Sequence, residues 1–295
     1  MSRRSFLHGG LLGGAAAGGL TLFEAYQARY VNPYRPKLEQ VSISAPTNHP
    51  GLAGMKIGFI TDTHVGPFIS PDDLARATKL VADEHPDLIL LGGDYVSESP
   101  RYTSSAVEVI WELVRETPLG GYAVLGNHDL SVSRTRVAEV LTATGIPVLR
   151  NQSLPIAYGN DELWIGGIDE TLLGDARPAD TFAQIPAGAA SIALWHEPEF
   201  AERASDQGAF LQLSGHTHGG QIRVPGVGPV GLPIHGKRYV MGLNQVNDML
   251  IYTARGVGVY RPPMRFNCPP EVTIITLVAP DSPSDSRVGP ASVTS

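Results

Sequence analysis

Gly215-His216-Thr217-His218-Gly219-Gly220-Gln221 follows the apolar run Phe210-Leu211-Gln212-Leu213. A strand that ends in glycine can turn sharply, because no Cβ obstructs the backbone. The His-x-His spacing then lets two imidazoles enter one cleft. Four further apolar runs end in the same kind of residue. Phe59-Ile60-Thr61 leads into Asp62-Thr63-His64, and Leu88-Ile89-Leu90-Leu91 leads through Gly92-Gly93 into Asp94. Tyr122-Ala123-Val124-Leu125 leads into Gly126-Asn127-His128-Asp129, and Ile192-Ala193-Leu194-Trp195 into His196. In open α/β sheets the ligand site lies beyond the carboxyl ends of the strands. Five strands ending in Asp, Asn or His therefore set these side chains along one rim.

Taken singly, each has an ordinary explanation. An Asp after a strand usually caps a helix or makes a turn, Gly-Asn is a common turn pair, and a lone histidine packs in a core. The joint pattern is what counts. Of the nine histidines, His64, His128, His196, His216 and His218 occupy these strand ends, and only His8, His49, His85 and His235 do not.

Helical patterns separate the runs in the first half of the chain. Over Pro71–His85, Leu74, Ala77, Thr78 and Val81 recur at helical spacing behind a Ser70 cap and a first-turn proline. Thr103–Glu116 and Ser131–Thr144 read as two more helices. The second half is richer in strands: Ser153–Tyr158, Glu162–Ile168, Ser191–Leu194, Phe210–Leu213, Met249–Tyr252 and Glu271–Val278. Alternation of this kind implies parallel βαβ units, and the later strands imply a second sheet packed on the first.

At 295 residues the chain can bury a substantial core. Its net charge of −7 supplies no basic field for a nucleic-acid backbone, so nucleic acid is not expected as the main partner. An anionic substrate then needs local positive charge, such as a metal. The single Cys268 excludes an internal disulfide and a cysteine-rich zinc site.

The ends differ from the middle. Ser2-Arg3-Arg4-Ser5-Phe6-Leu7 resembles a twin-arginine signal motif, and the apolar, glycine-rich run to Phe23 completes a signal or retained anchor over residues 1–28. Export through the twin-arginine translocon would place the protein in the periplasm, in the cell wall or on the outer face of the cytoplasmic membrane. Residues 29–50 read as a tether with an edge strand near Leu38–Ser44, and residues 280–295 as a disordered tail.

The rim residues also specify a chemistry. Imidazole suits Zn and Fe, whereas carboxylate and amide oxygens suit Mn and harder ions. Asp, Asn and His without a thiolate therefore suit Mn²⁺, Fe²⁺/Fe³⁺ or Zn²⁺, and a site for two metal ions fits these residue types. A close pair needs one shared carboxylate. Asp94 is the natural bridge, since its strand is expected centrally and two glycines clear the approach.

Asp62-x-His64, Gly93-Asp94, Gly126-Asn127-His128-Asp129, His196 and Gly215-His216-x-His218 occur in the order of the calcineurin-like metallophosphoesterases, and the chain resembles that family. Gly92–Val96, the Gly215–Gln221 stretch, Arg255-Gly256, Arg265-Phe266 and Pro269-Pro270-Glu271 resemble a bacterial, twin-arginine-exported phosphodiesterase branch. The expected fold is a four-layer αββα sandwich over residues 51–279, two mixed sheets flanked by helices with the metals at the strand ends.

The resemblance implies one metal on Asp62, His64, Asp94 and His218, and the other on Asp94, Asn127, His196 and His216. It implies His128 as the acid at the leaving group, with Asp129 orienting its ring. Water beside two cations loses its proton readily and can attack phosphorus in line. The implied substrate is a small or lipid-linked phosphoester. Alternatives are a UDP-diacylglucosamine-type pyrophosphatase at the membrane face and a metal-binding envelope protein whose hydrolysis is incidental. Val224–Lys237 reads either as a solvated loop or as one wall of the cleft, with Arg238, Arg255 or Arg265 as phosphate clamps. Tyr239, Tyr260 and Phe266 could hold a lipid or nucleoside, or pack the second sheet.

Overall fold

The computed structural model describes residues 21–280. Most of the expected signal, residues 1–20, and the expected tail from residue 281 lie outside the described residues. Residues 21–30 form helix α1. The following elements are β1 (Lys37–Ser44), β2 (Lys56–Ile60), α2 (Pro71–Ala82), β3 (Leu88–Leu91), α3 (Thr103–Val114), β4 (Gly121–Ala123), α4 (Asn127–Val132) and α5 (Arg136–Ala143). Then come β5 (Gln152–Tyr158), β6 (Asp161–Gly167), α6 (Pro178–Phe182), β7 (Ala190–Leu194), α7 (Ala201–Ser205) and β8 (Leu211–Ser214). The short pair β9 (Arg223–Val224) and β10 (Gly228–Pro229), then β11 (Gly242–Val246), β12 (Met249–Thr253) and β13 (Glu271–Val278), complete the order.

Two mixed sheets form. The first runs β1-β13-β2-β3-β4 and the second β11-β12-β8-β7-β6-β5. In the first sheet only β13 and β2 pair antiparallel, so β2, β3 and β4 all point the same way. In the second, β6, β7, β8 and β12 are parallel and the outer strands β5 and β11 are antiparallel.

The period of two along each strand divides the core into layers. Phe59, Leu88 and Leu90 meet Ile165, Ile192, Leu194, Leu211 and Leu213 between the sheets. Ile89 and Leu91 point to the other face, against Leu74, Ala77 and Val81 of α2 and Ala106, Val107 and Ile110 of α3. Ala193 and Ile251 of the second sheet cover Phe182 of α6 and Ala201 and Ala204 of α7. Each fully buried Leu, Ile or Phe contributes about 1.5–3 kcal/mol relative to exposure. The result is the four-layer αββα sandwich.

Helix α2 starts as its sequence directs: Ser70 accepts from Asp73 N, and the Asp73 side chain returns to Ser70 N. The helix expected over Ser131–Thr144 is instead two helices. Ser133 is extended (φ −165°), and its hydroxyl accepts from Arg136 N at 3.2 Å. That break ends α4, which begins at Asn127 behind extended Gly126, so Asn127, His128 and Asp129 form a helical first turn rather than a loop. Strand β11 carries no alternation strong enough to mark it in the sequence; it forms because β12 offers it an antiparallel edge.

Candidate metal centre

The carboxyl ends of β2, β3 and β4 in one sheet converge with those of β7 and β8 in the other. Asp62, His64, Asp94, His196, His216 and His218 are all buried there. Candidate ligand atoms fall into overlapping groups, each within 4.8 Å: Asp62, His64 and His218; His64, Asp94 and His128; Asp62, Asp94 and His196. Five of the rim residues occupy left-handed backbone: Asp62 (φ 50°), His64 (46°), Asp94 (56°), His216 (68°) and His218 (52°). Outside glycine this conformation is uncommon and strained, and such strain gathers at functional sites. Two glycines make the convergence possible. A Cβ on Gly126 would lie 2.1 Å from Asp94 Oδ1, and one on Gly215 would lie 2.1 Å from Asp62 Oδ2.

The hydrogen bonds decide which imidazole nitrogen each ligand offers. His196 Nδ1 donates to the Gly92 carbonyl at 2.7 Å, which turns Nε2 inward, 3.2 Å from Asp94 Oδ2. His216 Nε2 donates to the Ile234 carbonyl at 2.6 Å, so Nδ1 faces Asn127 Oδ1 at 3.0 Å. His64 Nδ1 meets Ser97 Oγ at 2.6 Å, which turns its Nε2 toward His218 Nε2, 3.0 Å away. His218 Nε2 is also 3.4 Å from Asp62 Oδ1, and His64 Nε2 is 3.6 Å from Asp94 Oδ2. Partners of this kind fix the tautomer and aim of a metal-binding histidine.

Electrostatics agree with that arrangement. Burial holds the His64 imidazole down at about 3 and His216 at about 4, and it holds His218 well below the usual range. All three are neutral donors at pH 7. Burial pushes the Asp62 carboxyl up to about 6. Among the described residues, no Lys or Arg forms an ion pair with Asp62 or Asp94. His196 differs: against the effect of burial, the adjacent Asp94 carboxylate raises it well above the usual imidazole range. Two buried carboxylates and four imidazoles with converging nitrogens make a donor set that a pair of divalent cations fits.

Asp129 does not orient the His128 ring. Its carboxylate accepts from the backbone N–H groups of Asp94 (2.8 Å), Tyr95 (2.8 Å) and Gly126 (3.0 Å), and so it anchors the turn that carries Asp94. Burial lifts its pKa to about 7. His128 donates its own backbone N–H to Asp94 Oδ1 at 2.8 Å. Its half-buried ring stands edge-on to His64, with centroids 4.9 Å apart, and lines the cleft.

Nor are Arg255 and Arg265 placed as phosphate clamps. Arg265 is completely buried, and its guanidinium donates to the carbonyls of Arg255, Gly256 and Gly258, and at longer range to His218 and Cys268. Arg255 pairs with Glu39 and with Glu271. Both are absent from the cleft lining and brace the backbone behind it. Arg238 is likewise held by Glu202. Asp169 accepts from Arg150 at 2.9 and 3.0 Å, and Glu170 accepts from the N–H groups of residues 172–174, so this acidic pair organises its own loop. Nothing in the sequence marks Ser97 or the Gly92 and Ile234 carbonyls as partners, because only the fold brings them to the rings.

The sequence matches the calcineurin-like phosphoesterase family over residues 55–220. It is 36% identical over 283 residues to the uncharacterized metallophosphoesterase YkuE of Bacillus subtilis, covering 94% of this chain and 98% of that protein. It is 39% identical over 231 residues to the phosphodiesterase YaeI of Escherichia coli, covering 77% of this chain and 83% of that protein. A metallophosphoesterase of Aquifex aeolicus is 31% identical over 229 residues, covering 76% of this chain and 85% of that protein. With its two mixed sheets and its rim of Asp, Asn and His donors, the chain belongs to the calcineurin-like phosphoesterase family and is a metallophosphoesterase.

Proposed function

We propose that the chain is a dinuclear phosphodiesterase acting outside the cytoplasm. One metal would be held by Asp62, His64, Asp94 and His218, the other by Asp94, Asn127, His196 and His216. The observation that carries this reading is the convergence of donor atoms: His64 Nε2 and His218 Nε2 lie 3.0 Å apart, and His216 Nδ1 lies 3.0 Å from Asn127 Oδ1. Nitrogen and oxygen atoms gathered at this spacing share a proton or, together with the neighbouring carboxylates, hold a cation. Bound divalent ions would acidify water and neutralise charge on the phosphoryl oxygens.

The remaining work falls to the chain itself. Asp94 offers one oxygen to the His128 N–H and keeps Oδ2 turned toward His64 and His196. Asp129 keeps that carboxylate in place through the Asp94 N–H. The His128 ring, on the open side of the cluster, is positioned to hold a proton for the departing oxygen. Mn²⁺, Fe and Zn²⁺ all suit this mixed donor set. The name of the YaeI relative supports a diester over a monoester. The Arg3-Arg4 motif with its apolar run supports twin-arginine export and an envelope or small-molecule substrate. Among the described residues no helix is long and apolar enough to cross a membrane.

Hydrolysis of bis-p-nitrophenyl phosphate by chelated and metal-reconstituted protein tests the reading. Activity should vanish on chelation, return with Mn²⁺, Fe²⁺ or Zn²⁺, and track two metal ions per chain by elemental analysis. A protein that binds two ions and turns over neither this ester nor p-nitrophenyl phosphate would be the metal-binding alternative. Export is tested separately: Arg3→Lys/Arg4→Lys should retain the protein in the cytoplasm on fractionation of the host.

A further inference from the structure

The ligand cluster opens into a cavity of about 440 Å³ whose two sides differ in chemistry. One side is the cluster itself with His128. The other is an apolar wall of Ile222, Val230, Leu232, Pro233, Tyr260 and Pro262. Most of it comes from the glycine- and proline-rich loop after the His216/His218 turn. That loop shows large apolar side chains to water: Val230 is 64% exposed and Ile234 68%. Exposed apolar surface gathered beside a polar site marks a place where something apolar binds.

The wall is built in register with the metal centre. Gln221 sits in left-handed backbone at φ 48°, three residues after His218. Its side-chain carbonyl accepts from Tyr260 N at 2.8 Å, and its side-chain amide donates to the carbonyls of Tyr260 and Pro262, both at 3.2 Å. The turn that supplies two ligands therefore also clamps the segment that supplies the ring. Tyr260 then lies with its centroid 4.4 Å from His128 and 6.0 Å from His64.

Charge narrows the ligand further. Among the described residues Arg261 is the only Lys or Arg on the cavity lining, and its Nε donates to Glu98 at 2.8 Å. Arg223, at the base of the loop, donates to the Gly219 carbonyl. The cavity thus has a place for one phosphoryl group at the cluster, and the one guanidinium described on its lining is already paired with a carboxylate.

We infer that this wall is a subsite for an uncharged apolar substituent, alkyl or aryl, on the scissile phosphodiester, with Tyr260 and Val230 as specificity-determining residues. The inference rests on the phosphodiesterase reading and deepens it. An acyl or alkyl chain and an aromatic ring share the chemistry the wall selects. Nucleotides with further phosphates do not.

Symmetric phosphinates test it, because they carry one negative charge, cannot be hydrolysed and make orientation irrelevant. Dimethyl, dibutyl, dihexyl and diphenyl phosphinate are titrated into the Mn²⁺-loaded full chain by calorimetry and assayed as competitors of bis-p-nitrophenyl phosphate. Affinity should rise by roughly threefold to fourfold for each methylene buried. A steeper gain for dihexyl identifies a chain as the natural substituent, and one for diphenyl an aromatic ring. Val230→Asp, a change at an exposed position, should flatten the series, Tyr260→Ala should weaken it, and Tyr260→Phe should preserve it. Equal affinity across the series in the wild-type protein overturns the subsite while leaving the hydrolase intact. Absence of hydrolysis with two ions bound overturns the hydrolase reading, and the calorimetric series still reports on the wall.

Discussion

Two buried ionic clusters lie back to back in this molecule, and they are completed differently. The cluster around Asp62 and Asp94 has carboxylates, mostly neutral imidazoles and strained backbone. The cluster around Arg255 and Arg265 is paired: guanidiniums meet Glu39, Glu271 and a row of carbonyls, with Arg265 Nε left without a hydrogen-bond partner among the described residues. Buried charge is tolerated only when paired and hydrogen-bonded. A cluster whose cations already meet carboxylates reads as structural, and one whose carboxylates meet no Lys or Arg among the described residues suits a bound cation. The two are joined, since Arg265 holds the carbonyls of Gly256 and Gly258, and the Cβ a side chain would need at Gly256 would lie 2.5 Å from Asp62 Cβ.

That contrast can be broken from either side. The largest effect is expected at Asp94, the carboxylate proposed to be shared by the two metals. Asp94→Ala should lower kcat by roughly 10⁴-fold or more and reduce metal content, read by steady-state kinetics and elemental analysis. His128→Ala should lower kcat by about 10²–10⁴-fold while leaving metal content near normal; loss of both ions in that variant would make His128 a ligand instead.

On the structural side, Arg265→Met strands several buried carbonyls and should cost about 3 kcal/mol of stability. In a chain of this size that is a fall in Tm of roughly 6–12 °C by thermal denaturation. If instead the melting point held and metal affinity collapsed, the two clusters would be one functional unit. Asp129→Asn keeps the shape but replaces one carboxylate oxygen by an N–H donor, so at least one of the three backbone N–H groups loses its acceptor. It should reduce metal affinity or activity by about 10–100-fold without unfolding.

The smallest effect is in pH. His64 and His216 stay neutral down to about 3 and 4, so in acid they do not compete for the metal. Asp62, raised to about 6, binds a proton in the metal-free protein as pH falls through that value. Asp94 holds His196 protonated, so metal displaces its proton over this whole range, and Asp62 adds one more below 6. Metal affinity should therefore fall about tenfold more steeply per pH unit below 6 than above it. A larger change of slope, measured by competition with a chelator dye, would mean that His64 and His216 titrate as exposed imidazoles do.

Much of the rim was legible because its residues sit at fixed offsets from strands, and strands announce themselves by local apolar runs. Asp62, His64, Asp94, Asn127, His196, His216 and His218 were placed on one rim that way, and their side chains lie together in the structure. The arginines were misread for a physical reason: Arg255 and Arg265 lie close in sequence to the rim, but proximity in sequence says nothing of which side of the backbone a guanidinium takes. Asp129 was misassigned similarly. Next to His128 in the chain, it reaches instead to the amides of Asp94 and Tyr95, more than thirty residues away.

The sequence by itself thus determined the order of strands, the residue types at their ends and the chemistry those types can support, since each depends on neighbours within a few positions. Only the tertiary structure decided which nitrogen of each imidazole faces inward, which carboxylate holds backbone rather than a ring, and which wall of the cleft is apolar. Those outcomes depend on the Gly92 carbonyl, Ser97, the Ile234 carbonyl and Gln221 arriving at rings and turns distant in the chain. Hydrogen bonding acts over about 3 Å of space and takes no account of separation along the backbone.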